Sequence, residues 1–291
     1  MLQRHEYSRK LQQEVRLLKQ HLGALIPNPP VPRYLYHYRR LEILLKILDS
    51  GTLRLYDVWT MEDPEEVNYP WGIIWRLMQP YVGRLPFHLA DLLNPGLQKD
   101  VGRARRRNVV SVLHPFASCF CQADETAFMW RKYADRFMGA SLRIHSAPFR
   151  DTPNTHALYP MMYGPREVEK SLRSFYQYVV SRDWINRFDF EQGRALSLEA
   201  VMSLVTFLVC LKRRRFCGEH EWRAMKMRGS TGPWQMDAAS GRSYIEIPLR
   251  PECVSAIVLG SKCPLSATDL RERLRNSQYK SAIVTRSKLR A

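Results

Sequence analysis

The stretch 35-LYHYRRLEILLKILDSGTLRL-55 decides how the rest of this chain is read. Leu35 to Tyr38 is aromatic and strand-prone, and Leu41, Leu44, Leu45 and Leu48 recur at the three- and four-residue spacing of one helix face. Gly51 then ends the helix before a second strand, Leu53 to Tyr56. The unit is therefore strand, helix, strand, with His37 on the first strand just ahead of the turn. An imidazole in that position can hold a ribose hydroxyl; it can equally be a packed histidine between Tyr36 and Tyr38.

Outward from this unit, residues 1–32 read as an N-terminal amphipathic helix and a stiff linker. Leu11, Val15, Leu18, Leu22 and Leu25 are spaced four, three, four and three, too short a run for a coiled coil and suited to packing on the chain's own domain. Pro27, Pro29, Pro30 and Pro32 follow. Residues 33–291 read as a single α+β domain, with helices clustered in the middle and strands at both ends. The run Pro115 to Cys121 looks like an inner strand, Ala127 to Ala134 like a helix, and residues 197–212 like a buried one. His220 to Met227, Ser243 to Leu249 and Ser255 to Leu259 read as late strands, and Ser266 with Asp269 as a capping box.

Composition bounds the function classes. The chain has 291 residues, and 45 basic against 28 acidic side chains give a formal charge of +17. That excess points to a polyanionic neighbour such as nucleic acid, an anionic membrane surface or a phosphate-bearing ligand. Its local peaks are Arg103 to Arg107 and Lys212 to Arg215. The six cysteines are too sparse and irregular for a secreted disulfide framework and show no zinc spacing. The N-terminus has no apolar signal core, and the longest apolar run, Val201 to Leu211, is about half a membrane span. These features predict a cytoplasmic protein without a membrane span and without a resident metal. The acidic turn Glu62-Asp63-Pro64-Glu65-Glu66 has the composition of a solvated turn, a divalent metal being the minority alternative.

Several short motifs in order extend the picture: LYHY with its helix and SGTL, an acidic DP.E turn, SCF at 118–120, MWR.YA at 129–134, E.EWR at 219–223, IVLG at 257–260 and a closing strand, Ala282 to Thr285, with a serine. This series resembles domain-of-unknown-function family 2971, a bacterial family without an assigned activity, from Tyr34 to Leu289. One departure is Glu62, where that family usually carries asparagine. The opening segment also resembles, over about 20 residues, the first strand and helix of NAD-dependent ADP-ribosyltransferases, and Glu219-His220-Glu221 looks like their glutamate-x-glutamate pattern.

The resemblance implies an ADP-ribosyltransferase-like mixed sheet core with a helical insertion, and NAD as substrate. It assigns His37 to the adenosine ribose, Tyr36 or Tyr38 to stacking on a ring, Glu221 to the catalytic carboxylate, Glu219 to orienting the acceptor and Ser118 to support. A carboxylate against the ribose hydroxyl would stabilise the oxocarbenium-like centre formed as nicotinamide leaves. Two alternatives stand beside this. Glu221 can be a structural ion-pair residue for an arginine such as Arg131 or Arg39, and the protein can be a non-catalytic nucleic-acid- or nucleotide-binding module using its basic surface. A nuclease built from His37, His114, Glu62, Asp63 and Glu221 matches no defensible spacing.

Overall fold

A computed structural model describes residues 9–10, 12–17, 20–21, 29–61, 65–84, 113–123, 125–150, 157–164, 166–182, 190–229 and 232–289. Strand β1 (Tyr34–Arg39) leads into α1 (Leu41–Ser50), which buries Leu44, Ile47 and Leu48. Gly51 takes the left-handed conformation (φ 66°) and its N–H closes the helix onto the Ile47 carbonyl, the turn only glycine makes without strain. β2 (Thr52–Asp57) alternates cleanly: Leu53, Leu55 and Asp57 turn inward, Arg54 and Tyr56 outward.

The next helix, α2 (Glu65–Met78), opens on Glu65 and Glu66 and stops at the residue pair before Pro80, where a 3₁₀ turn (Gln79–Arg84) takes over. Then come β3 (Leu113–Cys121), α3 (Ala127–Tyr133), β4 (Ala140–His145), α4 (Ser146–Arg150), β5 (Ala157–Pro160) and β6 (Met162–Tyr163). Two longer helices, α5 (Arg166–Ser181) and α6 (Phe190–Val209), precede β7 (Leu211–Lys212) and a 3₁₀ turn (Arg214–Glu219). The chain closes with β8 (Glu221–Gly229), β9 (Gln235–Asp237), β10 (Arg242–Pro248), β11 (Val254–Leu259), α7 (Ala267–Leu274) and β12 (Ile283–Arg286). The Ser266 hydroxyl caps α7 by accepting the Asp269 N–H.

The protein is thus a mixed α+β fold on one large, mostly antiparallel sheet, ten-stranded among the described residues. Three buried apolar clusters hold it. One lies between α2, α5, α6 and the Leu113, Ala117 and Met225 side chains. Another, on the opposite face, joins α1 and α7 to Phe116, Phe120, Leu142 and Trp222. The third gathers Tyr36, Tyr38, Trp130 and Phe137. Of the N-terminal helix, residues 12–17 are described and helical; Val15 packs against the first cluster and Glu14 pairs with Arg182 at 3.1 Å. The remaining leucines of its expected seam lie outside the described residues. No described helix is long and apolar enough to cross a membrane.

Strand β3 is the hub of the sheet. One edge pairs with β8 over its whole length, from Leu113 opposite Gly229 to Cys121 opposite Glu221. The other edge is shared, because β1 joins it only at Cys121 (opposite Tyr36) and β2 only at Phe116 and Ala117 (opposite Asp57 and Tyr56). Continued in register, Arg39 and Leu55 would both stand opposite Ser118, so β1 and β2 must splay apart. A slit opens between them over Ser118 to Phe120.

Candidate functional site

His37 sits in this slit. Its Nδ1 lies 2.9 Å from the Cys119 carbonyl and its Nε2 2.9 Å from Arg39 Nε. Arginine can only donate, so Nε2 accepts and the proton is on Nδ1, which donates to Cys119. The imidazole thereby supplies the bond that a neighbouring strand would otherwise make to that carbonyl. Burial, and then the Arg39 charge, hold its pKa well below the ordinary histidine value, so the ring is neutral. Both nitrogens are occupied, and neither is open to a ribose hydroxyl in this arrangement.

Beyond Cys119, on the β8 side, lies a buried ionic cluster. Alternation along β8 puts Glu221 and Arg223 on the sheet face carrying Cys119 and Cys121, and Arg223 Nε donates to Glu221 Oε1 at 2.7 Å. The other Glu221 oxygen takes Lys212 Nζ at 2.5 Å, and the same ammonium reaches Glu219 Oε2 at 2.8 Å and Glu66 Oε1 at 3.2 Å. Arg223 also donates to Glu66 Oε2 and, at 2.8 Å, to the Val209 carbonyl. Glu219 Oε1 accepts from Lys132 Nζ at 2.6 Å and from the Tyr133 hydroxyl at 2.8 Å. The Tyr163 hydroxyl accepts the Glu221 N–H at 2.9 Å, and the Cys119 thiol lies within electrostatic reach of the Glu221 carboxylate.

Among the described residues, three carboxylates (Glu66, Glu219, Glu221) face three cations (Lys132, Lys212, Arg223), and the cluster neutralises itself. Desolvation alone would raise the Glu221 pKa; the Arg223 and Lys212 charges overcome it and hold the group well below the carboxylate range, with Glu66 lowered in the same way. Burial pushes the Cys119 thiol up to about 12, so it is not a nucleophile.

The candidates read from sequence divide accordingly. Glu219 and Glu221 do meet, on Lys212, but not by strand alternation. Glu219 closes the 3₁₀ turn, His220 adopts φ 41° and β8 starts one residue later than expected, at Glu221. The left-handed residue swings the Glu219 carboxylate back toward its neighbour's. The arginine that answers Glu221 is Arg223 rather than Arg131 or Arg39. Ser118 stands on the opposite sheet face, aligned with Ala224 and between Phe116 and Phe120, and is separated from the carboxylates by the sheet itself. Tyr36 and Tyr38 are buried in the third cluster, Tyr38 edge-on to Trp130 at 5.1 Å, so neither ring is presented for stacking.

Lys212 and Arg223 were not named as site residues from the sequence, and Arg39 was named only as a possible partner of Glu221. Lys212 was visible only as part of a basic run and Glu66 as part of an acidic turn; the two runs answer each other, with Glu65 pairing Arg213 as well. Glu62 and Asp63 lie outside the described residues. Among those described, no group of His, Cys, Asp or Glu is arranged to hold a metal ion.

No protein-family model, no curated protein and no solved structure matches this chain. Its geometry therefore carries the functional reading.

Proposed function

We propose that this protein consumes NAD on an ADP-ribosyltransferase-like core, transferring ADP-ribose to a macromolecule or hydrolysing the nicotinamide–ribose bond. One observation supports it above others: His37 and Glu221, 184 positions apart in sequence, both meet Cys119 at the centre of the sheet, His37 by a hydrogen bond to its carbonyl and Glu221 with its carboxylate within electrostatic reach of the thiol. A dinucleotide would approach Glu221 by way of the slit beside them. Held ionised by Arg223 and Lys212, Glu221 would act as a fixed negative charge toward the developing oxocarbenium centre, not as a base. Glu219, tied to Lys132 at the rim, would face the acceptor.

The second reading is a non-catalytic nucleotide- or nucleic-acid-binding protein. It is favoured by the internal neutralisation of the cluster, since a carboxylate engaged on both oxygens is a weaker electrostatic partner for a cationic transition state.

Nicotinamide release from NAD separates the two. Purified wild-type protein is assayed with and without nucleic acid, beside Glu221→Gln and His37→Ala variants whose fold is verified by circular dichroism. The enzyme reading requires release by the wild type and its loss, by at least 100-fold, in folded Glu221→Gln. No release under either condition, with nucleotide binding retained, assigns the site to binding.

A further inference from the structure

Arg39, at the slit, belongs to neither the ionic cluster nor the apolar clusters. Its Nε is spent on His37, and among the described residues no carboxylate pairs with its guanidinium. The guanidinium is enclosed by protein, while the residue as a whole is half-buried. The groups within its electrostatic reach are Cys119, Tyr56, Tyr133 and a second arginine, Arg242. Tyr133 is already committed to Glu219.

Positive charge gathers around Tyr56. The Arg242 guanidinium lies 4.4 Å over its ring, and Arg54 stands within electrostatic reach of it. Glu246, at 3.3 Å, answers Arg54, while Asp237 is held by Ser240 and the Ala239 N–H within reach of Arg54 and Lys46. Neither acid reaches Arg39. A desolvated cation beside a like charge is costly unless something anionic completes it.

We propose that the slit between β1 and β2 is an oxyanion site in which Arg39, aimed by the neutral His37, binds a phosphate group of the ligand. His37 is a positioning residue here: anchored on the Cys119 carbonyl, it takes Nε–H and turns the two terminal nitrogens of Arg39 toward the opening. That planar pair matches two phosphate oxygens. Arg242 and Arg54 add charge from the β2–β10 side. The site serves a bound nucleotide whether or not the nucleotide is cleaved, so it stands apart from the NAD chemistry above.

The test is titration calorimetry of the full chain with inorganic pyrophosphate and with ADP at low salt, alongside thermal melts. Arg39→Met is expected to weaken both probes at least tenfold without lowering Tm, because it removes a buried charge that has no acid partner. His37→Gln should weaken them several-fold, and the exposed Arg214→Met should leave them unchanged. If Arg39→Met does not fold, Arg39→Gln, which keeps a donor toward His37, is judged by the same criterion. The proposal is overturned if the wild type binds neither probe, if a folded Arg39 variant keeps wild-type affinity, or if Arg214→Met loses as much as Arg39→Met.

Discussion

Acid acts on two kinds of residue around Cys119, and in the same direction. The unfolded chain protonates His37 near the ordinary histidine pKa of about 6.5, while the folded ring resists. Stability therefore begins to fall as pH drops below about 6.5. Glu66 and Glu221 have depressed pKa values when folded, so their contribution is full above about pH 5 and drains as pH falls through the ordinary carboxylate range toward the folded values. Urea denaturation across pH 7.5 to 4, as rough bounds of that range, should show a shallow first limb and a steeper second one. His37→Gln should flatten the first; a wild-type curve that is level down to about pH 5 would count against the buried neutral imidazole. Truncating Glu221 to Ala leaves the buried cluster one carboxylate short, with Glu66 the acid still shared by Lys212 and Arg223, and should cost about 3–5 kcal/mol. These roles were half legible. The spacing Glu221-Trp222-Arg223 places both charges on one face of any strand, but which distant cation and acid complete them depends on chain closure. Lys212 and Glu66 are 146 positions apart and meet only in the folded state.

At the scale of elements, α1 was readable because its apolar spacing and its glycine stop agree. Leu44 is fully buried against the sheet while Ile43, one position earlier, is exposed. Leu44→Ala should cost about 2–5 kcal/mol and Ile43→Ala within about 0.5, measured by chemical denaturation. Gly51→Ala forces a β-carbon into the left-handed region, and should cost about 1–2 kcal/mol. The start of β8 was misread by one residue for a related reason: a non-glycine, His220, occupies a left-handed position there, and nothing local announces it. Short strands such as β6 and β7 were not legible either, since two residues carry no periodicity and pair only where α6 returns the chain to Met162.

For the whole molecule, burial sorts the six cysteines, all of them free thiols. Cys217 alone is exposed; Cys119 and Cys210 are pushed up to about 12 by burial, and Cys253 and Cys263 are raised as well. A thiol reagent at about pH 8 should modify one cysteine rapidly in the native protein and all six in guanidinium; fast reaction of a second would show that the sheet centre opens. By itself the sequence determined the α+β class, the strand–helix–strand opening, the buried character of α6 and the positive charge. Each of these follows from local periodicity or composition, which neighbouring residues settle among themselves. Only the tertiary structure decided that β1 and β2 compete for one edge of β3, that His37 takes up the Cys119 carbonyl in the resulting gap, and that Glu221 is neutralised while Arg39 is not. Those outcomes depend on strand register and on which distant charges share a desolvated space, and no window along the chain contains both partners.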